Sequence, residues 1–295
     1  MKTFLLLSLL FLFQSCKSQP ELKLETNKDN NSLLWEISGK GLKKPSYLFG
    51  TFHLMCREDI HFSNNLLAAV KNVDEVYFEM DLDDPSNTLG ALMFMNMKDG
   101  QMLRDFYTAE EYQQLETFFK DSLKTSLKSF QKMKPSLLEA FLYPKMMPCK
   151  SQSGVEMELL TIASNEKKEV KGFETIAFQS SVFDSIPYSE QAKSLLNSID
   201  SIAQNKVYFE KMMQVYQSQQ LDSIEAMFNN PTFEMKDDLD ILLDKRNINW
   251  VDQLKTILPK ENIFMAVGAG HLVGKMGVIE LLRKEGYTLR PLLNK

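Results

Sequence analysis

Asn262-Ile263-Phe264-Met265-Ala266-Val267-Gly268-Ala269-Gly270-His271 is the stretch that decides the fold. An apolar run this short, ended by glycine, reads as a strand buried on both faces, the kind found inside an α/β sheet. The chain breaks at Gly268 and delivers an imidazole three residues later, so the segment ends as Gly-x-x-His. The same pattern stands near the other end of the sequence. Pro45-Ser46-Tyr47-Leu48-Phe49-Gly50 reads as a strand, and Thr51-Phe52-His53 follows it as a second Gly-x-x-His. Residues 33–38 form a strand before the turn Gly39-Lys40-Gly41, so the first two strands are expected to pair as a hairpin.

Working outward, residues 64–71 carry Leu66, Leu67 and Val70 at helical spacing, and Glu75-Val76-Tyr77-Phe78-Glu79-Met80 follows as a buried strand. After the second motif, residues 272–285 read as a helix and 287–290 as a closing strand. Between about 85 and 244 the period is helical. Thr108 and Glu111 make a capping box for a helix over 108–120, a long run covers 191–217, and 169–174 is one short strand. Residues 240–258 form a further helix that stops at Pro259. The expectation is an α/β fold whose mixed sheet is built by the N- and C-terminal parts, with a large, mainly α-helical insertion at about 85–244.

Met1-Lys2-Thr3 and the apolar run to Phe13 read as a signal peptide over 1–15, too short to remain as a membrane-spanning helix. Ser15-Cys16 followed by polar residues resembles a bacterial lipobox, with Cys16 as the lipidated residue. Residues 16–32 read as a lipidated tether and 33–295 as the folded domain. The expected place is the bacterial cell envelope, anchored by lipid to the outer membrane and facing the periplasm. That compartment permits a disulfide between Cys56 and Cys149, although buried free thiols are the plainer reading. A formal charge of −5 and a pI near 5.4 give no basic footprint for nucleic acid, which is excluded as a partner.

The chain has three histidines, and two share one context, which singles them out. Gly50 and Gly268 let the backbone turn and approach a ligand, and ligands collect at the carboxyl ends of strands in α/β sheets. Glu79 ends a third strand, in a run too apolar to bury a carboxylate without a partner. His53, Glu79 and His271 together are candidate ligands of a divalent metal with positions left open for water and substrate. The same groups without metal make a base and its orienting acid. His61 reads as a loop residue.

These residues carry a resemblance to the TraB/GumN family, whose animal members include the Tiki membrane proteases. It rests on Tyr47 to His53, on Val76 to Glu79, and on Phe264 to Gly274 with the helix to Tyr287. Gly172-Phe173-Glu174-Thr175 with Gln179, and Arg246-Asn247, are weaker signatures. The resemblance implies an α/β core related to the erythromycin esterases and, for the Tiki branch, a peptidase dependent on manganese or cobalt rather than zinc. By that likeness His53, Glu79 and His271 are ligands or catalytic groups, and Arg246 binds a substrate carboxylate or an oxyanion. The expected function is therefore metal-dependent hydrolysis of peptides or protein segments in the envelope. Two alternatives stay open: a lipoprotein that binds peptide or haem without turnover, and a metal-free, esterase-like hydrolase with His53 as general base.

Overall fold

The computed structural model describes residues 24–85, 90, 93–230 and 238–295. The expected signal peptide (1–15), Cys16 and the start of the tether lie outside the described residues. Among the described residues eight strands are formed: β1 (Leu34–Ser38), β2 (Ser46–Thr51), β3 (Met55–Cys56), β4 (Glu75–Met80), β5 (Gln152–Ser153), β6 (Glu169–Glu174), β7 (Ile263–Gly268) and β8 (Thr288–Pro291). Six of them make one mixed sheet in the order β6-β4-β7-β2-β1-β8, and β3 pairs with β5 beside it. β2, β7, β4 and β6 run parallel, while β1 is antiparallel to both β2 and β8.

Alternation along the strands explains the layering. Phe49, Val76, Phe78, Phe264 and Ala266 face one side, where they pack with Leu66, Ala69, Val70 and Leu159. Leu48, Tyr77, Met265 and Val267 face the other, against Trp250, Leu254, Ile279 and Leu282. Each strand position thus feeds one of two cores, which is why these strands read as unbroken apolar runs. A third core, with Leu103, Leu115, Phe119, Leu138 and Leu195, belongs to the helices of the insertion.

Several expectations hold and several are corrected. The hairpin, the helix Asn64–Asn72 and the capping box of Thr108 and Glu111 are present. The short strand expected at 169–174 is also present, as β6, and from inside the insertion it joins the edge of the sheet by pairing with β4. The long run over 191–217 is two helices, Tyr188–Asp200 and Ile202–Ser218, broken at Ser201. The helix expected from 272 is only Val278–Lys284, because Gly274 takes a positive φ and Gly277 lies against the carbonyl oxygens of Leu272 and Val273, where a Cβ has no room. Residues 24–27 are not free tether. Leu24 is buried, Thr26 bridges to Leu292, and Asn27 N donates to Pro291 O at 3.0 Å. The cysteines are also not free thiols: Cys56 and Cys149 form a disulfide, with Cα atoms 5.7 Å apart.

Candidate active site

All four parallel strands end on the same edge of the sheet. In register, Thr51 of β2 lies beside Gly268 of β7, and Met80 of β4 beside Glu174 of β6. That alignment brings His53, Glu79, Glu174 and His271 to one place from four separate strands. A Cβ placed on Gly268 would stand 3.4 Å from Glu79 Oε1 and 3.6 Å from both His271 Cδ2 and His53 Nε2, so Gly268 lies at the centre of the group. Its φ of −51° is one any residue adopts, and an added Cβ would make only ordinary contacts, so what the missing side chain leaves is the gap between these three residues. Gly50 likewise has no positive φ, and its missing side chain lets β2 pack against Leu33, Ala269 and Leu272.

His271 is buried, and its ring is fixed on both sides. Asn247 Nδ2 donates to Met276 O at 2.9 Å, which turns its Oδ1 toward the histidine to accept from Nδ1 at 2.7 Å. Nδ1 therefore carries the proton and Nε2 is bare. Nε2 faces Arg246 Nη1 at 3.3 Å and Glu79 Oε1 at 3.7 Å, while Trp250 covers the ring with its centroid 4.4 Å away. Burial outweighs the pull of Glu79 and, with the charges of Arg246 and His53, lowers the His271 pKa to about 3, so the imidazole is neutral.

Glu79 meets a different balance. Burial would raise its pKa, but positive charge on His271 when that ring is protonated, on Arg246 and on His53, with the Gly268 N–H that donates to Oε1 at 2.9 Å, lowers it. With His271 neutral, Arg246 is the nearest standing positive charge. Its Nη2 donates to Glu79 Oε2 at 2.6 Å and to Glu174 Oε2 at 2.8 Å, its Nε to Glu174 Oε1 at 3.0 Å, and its Nη1 to Leu242 O at 3.0 Å. Every N–H of the guanidinium has a protein partner, so its evident work is to hold Glu79 between His271 and Glu174. Trp250 Nε1 at 2.8 Å and Gln179 Nε2 at 3.1 Å complete the bonding of Glu174. A π-helical turn, Asp240–Asp244, leads directly into the helix Lys245–Ile257 that carries Arg246, Asn247 and Trp250.

His53 stands on the open side, with its side chain 72% exposed. Its Nδ1 lies 2.7 Å from Glu156 Oε1, and Thr51 Oγ1 donates to the same oxygen. The surrounding walls of the cleft partly desolvate the ring although its outer face is open, which works to lower its pKa, yet the hydrogen bond and charge of Glu156, aided by Glu79, push it up to about 9. Glu156 starts the helix Val155–Asn165 and was not singled out by its sequence context. The useful signal is Gly154, where a Cβ would fall 2.6 Å from the His53 carbonyl oxygen; together with the bond from Val155 N to Phe52 O, it joins the helix start to the first motif.

As donors, the three expected residues partly match a metal site. The 3.7 Å edge between His271 Nε2 and Glu79 Oε1 is near ligand spacing, and both imidazoles have Nδ1 engaged, as metal-bound histidines do. His53 stands farther out, since no choice of donor atoms brings all three residues within 4.8 Å of one another. Cys56, Glu58 and Cys149 do cluster that closely, but the two sulfurs are bonded to each other. His61 lines a different cavity, with Asp59, Phe62 and Gln219.

The fold and site define an α/β protein with a histidine–carboxylate centre at the carboxyl ends of a mixed sheet. More particularly, the chain belongs to the TraB/PrgY/gumN family, whose model matches residues 33–291. It is 25% identical to metalloprotease TIKI1 of Danio rerio, over 88% of this chain and 63% of that protein. It is 23% identical to metalloprotease TIKI1 of Homo sapiens, over 93% and 64% respectively. It is also 23% identical to YbaP of Shigella flexneri, over 81% of this chain and 88% of that protein. The chain thus spans less than two thirds of the length of these Tiki relatives. No solved structure gives a significant match.

Proposed function

We propose that this protein is a metal-dependent hydrolase of peptides or protein segments in the cell envelope. The observation that carries the reading is the pair of imidazoles from two strand ends, each with Nδ1 held by its own acceptor, Glu156 or Asn247, beside Glu79. The similarity to TIKI1, named a metalloprotease in both animals, supports it. A divalent ion held by His53, Glu79 and His271 would supply a Lewis acid that polarises the peptide carbonyl and acidifies water. The resemblance to the Tiki branch makes manganese and cobalt the first ions to test, while two imidazoles and a carboxylate accept zinc as well, and both nearby sulfurs are tied up in the disulfide. The chain's own part is to orient. Asn247 fixes the tautomer of His271, Glu156 fixes the ring of His53, and Arg246 with Gly268 N–H aims Glu79. Hydrolysis adds the hydroxyl of one water to the carbonyl carbon and its proton to the leaving nitrogen as the C–N bond breaks. Binding of an acidic chain to nucleic acid forms no part of the proposal.

We further propose export and lipid anchoring at Cys16, with the domain facing the periplasm from the outer membrane. The apolar run before Cys16 supports this, as does a disulfide of the kind formed in oxidising compartments.

One observation favours a second reading. Arg246 already contacts Glu79 Oε2 and His271 Nε2, a fixed cation at the edge where the metal would bind. His53 with Glu156 then forms a histidine–carboxylate pair that would serve as general base in a metal-free hydrolase only with the ring deprotonated, so this reading expects activity that rises toward pH 9.

Elemental analysis and calorimetric titration with manganese, cobalt and zinc separate the two, using the full chain and its His53→Ala, Glu79→Ala and His271→Ala variants. Tight binding lost in each variant, with peptide cleavage abolished by chelation, is the expected result. Cleavage that survives exhaustive chelation transfers the site to the second reading. Peptide or haem retained intact after long incubation with metal makes the protein a capture device.

A further inference from the structure

The cleft that holds His53 has two chambers. One is a cavity of about 360 Å³ walled mainly by Phe52, Phe209, Met212, Val215, Met227 and Phe228, with His53, Arg246 and His271 at its edge. The other, also about 360 Å³, is lined by Glu79, Glu156 and Gln179 among apolar neighbours. His53, Leu242 and Arg246 line both, so the candidate catalytic groups stand on the wall between them.

The apolar chamber is a built feature. Tyr143, Phe209, Phe52 and Tyr216 follow one another with centroid separations of 5.9, 6.0 and 5.2 Å. Tyr216 Oη donates to Gly50 O at 2.9 Å and ties this aromatic wall to the first motif. On the opposite side Gly270, inside the second motif, leaves room for the ring of Phe228: a Cβ there would come within 2.5 Å of Phe228 Cζ. Both Gly-x-x-His motifs therefore shape the chamber as well as supply its histidines. Met212 and Met227 add unbranched side chains that adapt to an occupant. A volume at the low end of the range for small-ligand pockets, roughly 300–1,000 Å³, suits one or two large side chains.

We infer that this chamber receives a bulky apolar side chain of the peptide substrate, at a fixed position next to the scissile bond, so that the protein selects hydrophobic segments. The inference rests on the hydrolase reading. A carbonyl placed beside His53, Glu79 and His271 puts the neighbouring residue at the mouth of the chamber, and the rest of an extended chain can run into the more polar one. Removing a large side chain from water there favours apolar over small or charged residues by about tenfold or more.

The test uses quenched-fluorescence peptides that differ at a single position, with Phe, Leu, Met, Ala, Asp or Lys, and maps the bond cut by mass spectrometry. Wild type is expected to cut at a fixed distance from Phe, Leu or Met, with kcat/KM at least tenfold above the Ala and Asp peptides. Met212→Asp is expected to abolish that preference and Phe209→Ala to shift it toward larger residues, so one variant reports if the other fails to fold. Equal cleavage of all peptides by wild type, or an unchanged preference in both variants, overturns the inference and leaves the hydrolase reading standing. If nothing is cut, anisotropy of the same peptides on His53→Ala decides. Tighter binding of the apolar peptides, lost in Met212→Asp/His53→Ala, keeps the chamber's assignment while the hydrolase reading falls, and binding without preference overturns both.

Discussion

Nδ1 of His53 lies 2.7 Å from Oε1 of Glu156, which joins the first strand-end motif to the start of a helix from the middle of the chain. Glu156 bonds His53 and Thr51 and neither Glu79 nor His271, so its effect on the site passes through His53. Glu156→Gln keeps the shape and removes the charge. Metal affinity is expected to drop about 10–100-fold, the usual cost of losing a partner behind a ligating histidine. Calorimetry with manganese and cobalt reads the loss, and an unchanged circular dichroism melt separates it from unfolding. Wild-type affinity in this variant would remove Glu156 from the site.

Arg246 holds two carboxylates at once, the largely buried Glu79 at 2.6 Å and the fully buried Glu174 at 2.8 Å. Arg246→Met leaves both without a cation, and breaking a buried pair in this way costs about 3–5 kcal/mol. Urea unfolding measures it. Adding Glu174→Gln to Arg246→Met should recover part of the loss, because one uncompensated charge disappears, and strict additivity of the two changes would contradict the network.

Much of this arrangement was legible in the sequence. The apolar runs ending at Gly50, Glu79 and Gly268 identify three of the strand ends, and the repeated Gly-x-x-His selects His53 and His271 from three histidines. The partners of those histidines were not readable from local pattern. Glu156 and Asn247 sit in ordinary helical sequence, and only the parallel register of β2, β4, β6 and β7 brings their helices to the same edge. The shortened final helix and the paired residues 24–27 were missed for a related reason: close packing at Gly277 and bridging to Leu292 are tertiary facts that propensity does not encode.

Lys134, almost wholly buried, bonds Asp184 Oδ1 at 2.7 Å and Ser180 Oγ at 2.6 Å. Burial would raise the Asp184 pKa, but hydrogen bonds from Lys134, Tyr188 and Lys98 lower it below 3.8. A carboxylate with a lowered folded-state pKa contributes stability above its unfolded value, and that contribution fades as pH falls from 3.8 through the lowered value. Asp184→Asn is therefore expected to be less stable than wild type by about 3 kcal/mol at pH 7. The difference should narrow as acid protonates the wild-type residue. Urea midpoints for both proteins at pH 7, 5, 4 and 3 test the sign, and a constant difference would exclude this linkage.

The Cys56–Cys149 disulfide encloses a sequence separation of 93 residues, spanning the third core and the link from β3 to β5. By chain entropy alone, closing a loop of that size lowers the freedom of the unfolded chain by roughly 4–5 kcal/mol. The Cys56→Ala/Cys149→Ala variant should unfold at lower urea concentration by an amount approaching that figure. Dithiothreitol should reproduce the shift in wild type and leave the variant unmoved.

Gly268→Ala separates the space of the site from its stability. The added methyl would meet Glu79 Oε1 at 3.4 Å and His53 Nε2 and His271 Cδ2 at 3.6 Å, all ordinary contacts, and the backbone there has an unexceptional negative φ. Replacing glycine where alanine fits without strain tends to stabilise a fold slightly, by about 0.4–1 kcal/mol, because the unfolded chain loses freedom. The same methyl fills the gap that the two imidazoles and Glu79 share, which is where an ion or a reacting carbonyl has to stand. Misplacement by about 1 Å is enough to cost on the order of 100-fold in rate. The expected outcome is a melting temperature equal to or slightly above wild type, with metal affinity and peptide cleavage reduced at least tenfold. Full activity in Gly268→Ala would mean that the chemistry takes place away from the space these three residues surround.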